Sequence, residues 1–171
     1  MALEIFILSV LRAQPVHGYE LKRRVQRPSL TALSNNSLYP ILRRFEEAGA
    51  VTVTVEEQDG KPARKVYAIT DAGRQLLTNL ISVLPPELAA NEEEFLLRLG
   101  FFSEILPSQR AAILDVRGAA LDASASQVRE LVQADDTSEK WQWRNLAMAH
   151  LLKRIETERR FLADLMKKAD L

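Results

Sequence analysis

The sequence predicts a mainly α-helical protein with a small β-hairpin, and three observations predict it. Apolar residues recur at helical spacing through three short segments before residue 50, switch to a period of two across Val51, Val53 and Val55, and return to helical spacing after Thr70. Asp59-Gly60 is a hairpin turn signal lying between the two extended runs. Beyond Pro85-Pro86 every remaining segment reads as helix, so the boundary between an N-terminal part, residues 1–85, and an all-helical part, residues 86–171, falls there.

Residues 2–13 carry Leu3, Ile5, Phe6, Leu8, Val10 and Leu11 over much of a helix circumference, which predicts a buried helix. Gln14-Pro15 ends it, because the residue before proline avoids the helical region. Residues 17–25 form a second, short helix with Leu21 and Val25 inward, closed by Arg27-Pro28. A polar connection through Thr31 and Ser34 leads to the third helix, where Leu38, Ile41, Leu42 and Phe45 make one apolar stripe. Its other face holds Asn36, Tyr39, Pro40, Arg43 and Arg44. Proline is tolerated only in a first turn, so Pro40 places the start near Asn36. Gly49 can take the left-handed conformation that ends the helix.

Val51, Val53 and Val55 alternate with Thr52, Thr54 and Glu56, a half-buried strand, and residues 66–69 return beside it. Lys61, Arg64 and Lys65 make the hairpin tip and its flank basic. Thr70-Asp71 caps a fourth helix running to Ile81 and Pro85-Pro86. Three helices and then a two-stranded ribbon with a basic tip make a winged helix-turn-helix. In that arrangement the third helix enters the DNA major groove and the wing touches backbone or minor groove. Winged helices also dock proteins, and a module without specific DNA binding is the alternative at this point.

In the second half, residues 92–106, 108–133 and 138–168 read as three helices, broken at Ile105-Leu106-Pro107 and at residues 134–137. In the last of them Met148, Leu152, Ile155, Leu162 and Met166 follow a heptad with Arg159 in the seam. A helix of that length needs a partner surface: a second copy of the chain, giving a homodimer through the C-terminal helices, or its own chain folded back on it.

Composition narrows the function. Residues 1–85 carry 11 Lys/Arg against 8 Asp/Glu and residues 86–171 carry 12 against 15, although the net charge is zero. A mildly basic first half suits a nucleic-acid partner. There are no cysteines, no run fit to span a membrane and no signal-like start, which predicts a cytoplasmic protein without disulfides. The two histidines, His17 and His150, lie far apart, and no phosphate-binding glycine loop, carboxylate pair or metal-ligand spacing is present. The expectation is no enzyme, no cofactor and no metal.

Three blocks carry a family resemblance: residues 15–21, residues 37–49 and residues 67–73, reading PVHGYEL, SLYPILRRFEEAG and YAITDAG. Together they resemble the PadR family of bacterial transcriptional regulators, and the match covers about residues 3–84. The helical second half is similar in layout to the longer members, which dimerise through it. The resemblance implies a dimeric, sequence-specific DNA-binding regulator, usually a repressor, released from a palindromic operator by a small molecule or another signal. It makes Tyr19 and Tyr39 candidates for phosphate contact, with Ser37 beside Tyr39. Asn35 and Asn36 depart from the small residue common there, and asparagine can hydrogen-bond adenine edges.

The residues support the same reading. Tyr39 and Ser37 offer hydroxyls near a helix N-terminus, where free N–H groups favour an anion. Arg43 or Arg44 reaches guanine or phosphate, or Arg44 instead pairs on the surface with Glu47 or Glu20. Lys61, Arg64 and Lys65 are the wing contacts, and Lys22 adds to the basic run of the second helix. Tyr19 has the alternative of packing between helices. Phe101, Phe102, Trp141 and Trp143 are the candidate lining for a flat hydrophobic or aromatic effector, with plain core or dimer packing as the alternative.

Overall fold

The structure is a computed structural model and describes residues 1–25, 38–58, 61–132 and 139–169. It divides into two compact units, Met1–Ile81 and Ser82–Leu171. In the first, α1 (Ala2–Ala13) leads through the short strand β1 (Val16–His17) into α2 (Gly18–Val25). There follow α3 (Leu38–Glu47), β2 (Val51–Gln58), β3 (Lys61–Ile69) and α4 (Asp71–Ser82). The second unit holds α5 (Glu92–Leu99), α6 (Pro107–Val132) and α7 (Glu139–Ala169), with short 3-10 turns at Pro86–Leu88 and Phe102–Glu104.

The expected winged helix is present, with one addition. The sheet has three antiparallel strands in the order β1-β3-β2, because Val16 and His17 pair with Tyr67 and Val66. His17 therefore lies in a strand instead of opening the second helix. Two residues are too few to show a period, so the pairing is a tertiary effect. The wing itself runs from Val51↔Ile69 to Gln58↔Lys61, with an irregularity between Glu56 and Gln58. Asp59-Gly60, the expected turn, lies outside the described residues. Val51 is buried while Val55 is exposed, so only the base of the ribbon rests on the core and the rest projects.

The core of this unit joins Ile5, Ile7, Leu8 and Leu11 of α1 to Leu21, Leu38, Leu42, Phe45, Leu77 and Ile81. One junction fixes the wing to the helices. Gly49 follows α3 at φ +69°, the left-handed conformation glycine tolerates. The Thr70 hydroxyl donates to the Gly49 carbonyl at 2.7 Å and accepts from the Gly73 N–H at 3.1 Å, capping α4. The Thr70 N–H donates to the Ala50 carbonyl at 3.0 Å.

The second unit corrects one expectation: residues 92–106 are not one helix. Asn91 caps α5 by accepting from the Glu93 and Glu94 N–H groups, and α5 ends at Gly100. There the Phe101 N–H turns back to the Arg98 carbonyl at 2.9 Å, and a 3-10 turn follows. Two arginines replace apolar filling in the core. Arg98 is fully buried, donating to the Val83 and Glu94 carbonyls and to the Glu94 carboxylate at 2.7–2.8 Å. Arg117 is 2% exposed; it donates to Glu158 of α7 at 2.6–2.7 Å and to the Ala89 carbonyl at 2.5 Å, and lies over the Phe95 ring. Helix α7 thus rests on α6 of its own chain, with Leu162 buried and Arg159, the seam residue, paired with Asp122. Trp143, Leu146, Phe161 and Met166 remain exposed along it.

Candidate nucleic-acid interface

The first turn of α2, the first turn of α3 and the middle of β3 converge on one groove of about 450 Å³. Its wall holds Tyr19, Tyr39, Arg64 and Lys65, four of the residues expected to meet DNA, together with His17, Gly18, Glu20, Ala63 and Tyr67. The groove depends on Gly18. A Cβ there would sit 3.1 Å from Cε2 of Tyr67 and 3.9 Å from Cε1 of Tyr39, so two tyrosine rings close over bare backbone. Tyr67 is 6% exposed and makes the floor. Burial raises its phenol above the usual value, and the Glu46 carboxylate and Tyr39 add to the shift.

Tyr19 and Tyr39 behave differently from Tyr67. They are 78% and 52% exposed, so Tyr19 does not pack between helices. Exposed phenols beside two cations suit a phosphate oxygen, which accepts from O–H and N–H donors alike. Glu20, the carboxylate in the wall, is held by Arg24 at 2.9 Å with Arg23 at 3.7 Å, which offsets its charge. Arg64 and Lys65 lie exposed on β3, opposite Glu56 and Val55 of β2. The Lys22 side chain is half-buried on α2.

The α3 arginines divide. Arg43 is highly exposed and bonds Glu47 one turn on at 2.8 Å, an ion pair weak enough to exchange for a phosphate. Arg44 pairs with Glu4 of α1, not with Glu47 or Glu20. Lys61 opens β3, and its side chain lies outside the described part of the structure. Asn35, Asn36 and Ser37 lie outside the described residues altogether.

Sequence reasoning left Tyr67 out of the site and gave His17 only as structural or DNA-adjacent. The alternation of the returning strand places Tyr67 inward, but only the unexpected β1 pairing brings His17 beside it.

Phe102 lines a cavity of about 210 Å³ with Leu99, Arg110 and Leu165, and Phe101 is its sequence neighbour. Trp141 stacks under the Arg144 guanidinium at 4.4 Å, and Trp143 is 68% exposed. A larger cavity of about 700 Å³ between α5, α6 and α7 is lined by Phe95, Leu96, Arg117, Leu121, Ile155 and Phe161, among others, and by none of the four. Among the described residues no group of three or more His, Asp or Glu could hold a metal, and no helix is long and apolar enough to cross a membrane.

Comparison with known proteins agrees with the first unit. The family model for the transcriptional regulator PadR-like family matches residues 7–79. Over 84 residues the chain is 39% identical to a probable transcriptional regulator, Rv1176c, of Mycobacterium tuberculosis, covering 48% of this chain and 44% of that one. Over 114 residues it is 26% identical to the negative transcriptional regulator PadR of Bacillus subtilis, covering 66% and 62%. Each match thus spans less than two thirds of the relative's length. The crystal structure of Bacillus subtilis PadR in complex with operator DNA is similar over 99% of this chain and 100% of that one, at 20% identity and a TM-score of 0.47.

Proposed function

Because residues 7–79 place this chain in the PadR-like family, whose members are transcriptional regulators and not enzymes, we propose that it is a dimeric, sequence-specific repressor whose DNA contacts centre on the groove between α2, α3 and the wing. The observation that carries this reading is the convergence of Tyr19, Tyr39, Arg64 and Lys65 on that one groove. Their donors take backbone phosphates, which set orientation and affinity. Arg43, Arg44, Asn35, Asn36 and Ser37 belong to or precede the helix that reads base edges, and Lys22 and Lys61 extend the cationic surface. Residues 1–85 are the DNA-binding domain in this reading, and residues 86–171 hold two copies together through α7 on a palindromic operator.

Release by a small hydrophobic or aromatic molecule completes the proposal. Phe101, Phe102, Trp141 and Trp143 are its first candidates, and the cavity between α5, α6 and α7 offers such a molecule an apolar wall. The deciding experiment is an anisotropy titration of the chain against DNA upstream of its own gene, with scrambled competitor and a salt series. Competitor-resistant binding that weakens steeply with salt is the expected result. Failure to bind any duplex, over a genome-wide selection of fragments, would leave a protein-docking winged helix instead.

A further inference from the structure

The groove contains one polar group that neither the fold nor the contacts above employ. His17 is pinned in β1 opposite Val66, and its ring forms part of the groove wall. Its Nδ1 is buried and has no hydrogen-bond partner among the described residues. A proton on that nitrogen would find no acceptor, so a donor role for the ring falls to Nε2. Arg64 and Lys65 from β3 and the phenols of Tyr19 and Tyr39 share the groove wall with His17, so the group that fits there is an acceptor with negative charge.

Resting on the DNA reading above, we propose that His17 is a further DNA-contacting residue, donating from Nε2, as a neutral imidazole, to a phosphodiester oxygen seated in the groove. This role differs from that of its cationic neighbours. A lysine or arginine that neutralises a phosphate releases counterions and steepens the salt dependence by about one unit of log–log slope. A neutral donor adds affinity and leaves the slope alone.

Two measurements test it. Only two histidines exist in the chain, so 15N spectra of the histidine-labelled protein report each tautomer without crowding. The expected result is an Nε2–H ring at His17; an Nδ1–H ring overturns the proposal. This readout uses the unaltered chain and stands even if a variant does not fold. The second is a salt series on a mixed-sequence duplex with His17→Gln, whose amide nitrogen sits near the Nε2 position, and His17→Asn, whose amide nitrogen sits near Nδ1. His17→Gln should bind within about twofold of the parent, and His17→Asn about tenfold more weakly at an unchanged salt slope. Equal binding by His17→Asn and the parent overturns the contact, as does His17→Gln falling as far as His17→Asn. A parent chain that binds no duplex overturns the DNA reading and this contact with it, an outcome distinct from a parent that binds and a variant that binds equally.

Discussion

At Gly73 a Cβ would lie 2.1 Å from the Ala50 carbonyl oxygen and 2.7 Å from Cγ1 of Ile69, and neither the backbone nor the base of the wing can give way. Gly73→Ala should therefore destabilise the first unit by about 3 kcal/mol, read by denaturant unfolding. Gly18→Ala meets only the edge of an aromatic ring at 3.1 Å, so it should cost about 1 kcal/mol or less. The contrast checks that backbone contact, not glycine as such, sets the loss. Tyr67 supplies a test in pH. Its phenol is raised in the folded state by burial, then by Glu46 and Tyr39, so the folded chain keeps a proton that the unfolded chain releases above about pH 10. Its contribution is intact below that pH and is lost as pH rises through the folded value. Alkaline melting curves of Tyr67→Phe should fall less steeply than those of the parent; parallel curves would show that Tyr67 does not govern that limb. At this scale the sequence displayed Tyr19, Tyr39, Arg64 and Lys65 openly, because their types announce hydrogen bonding and charge. It left His17 as structural or DNA-adjacent, because its place in the groove comes from a strand pairing 49 residues away in the chain, opposite Val66.

Elements were legible wherever a period had room to show. The stripe Leu38, Leu42 and Phe45 and the alternation from Val51 onward gave α3 and the wing, and Gly49 and Thr70 gave their ends. β1 is too short for a pattern. The break after α5 was hidden because Phe101, Phe102 and Ile105 continue an apolar run through it, while the Gly100 turn and the Arg110 guanidinium, donating to the Phe102 carbonyl at 2.6 Å, hold a different path. The pairing of α6 with α7 was also invisible, since Arg117 reads as a surface residue in a helix. Its burial makes a sharp prediction. Arg117→Ala strands Glu158 and the Ala89 carbonyl, and should cost the second unit about 3 kcal/mol. Arg117→Met combined with Glu158→Leu removes both charges and should recover most of that loss, because a buried ion pair gains little over apolar filling. Chemical denaturation of the two variants decides it: a double variant as weak as Arg117→Ala would mean the ion pair itself carries the stability.

For the whole molecule, the charge divides as the proposed function would require: the positive excess falls in residues 1–85 and the negative excess in residues 86–171, within a chain of zero net charge. A near-neutral protein gains little from long-range attraction to DNA, so on the proposed reading affinity comes from local contacts doubled by symmetry. On the proposed reading dimerisation is a condition of binding, since two half-sites one helical turn apart would be engaged together. The proposed second copy would pack on α7, where Trp143 is 68% and Leu146 62% exposed one turn apart. Side by side on one helix, the two make an apolar surface that a partner helix can cover. Leu146→Glu should convert a dimer to a monomer in light scattering, with little change in the melting of either unit, because the side chain is not part of the core. Duplex binding should fall by at least about a hundredfold, since a monomer loses the second, effectively intramolecular contact. A variant that stays dimeric would move the interface elsewhere on the helices. A monomer that binds the operator as tightly as the parent would separate DNA recognition from dimerisation and leave α7 with another task.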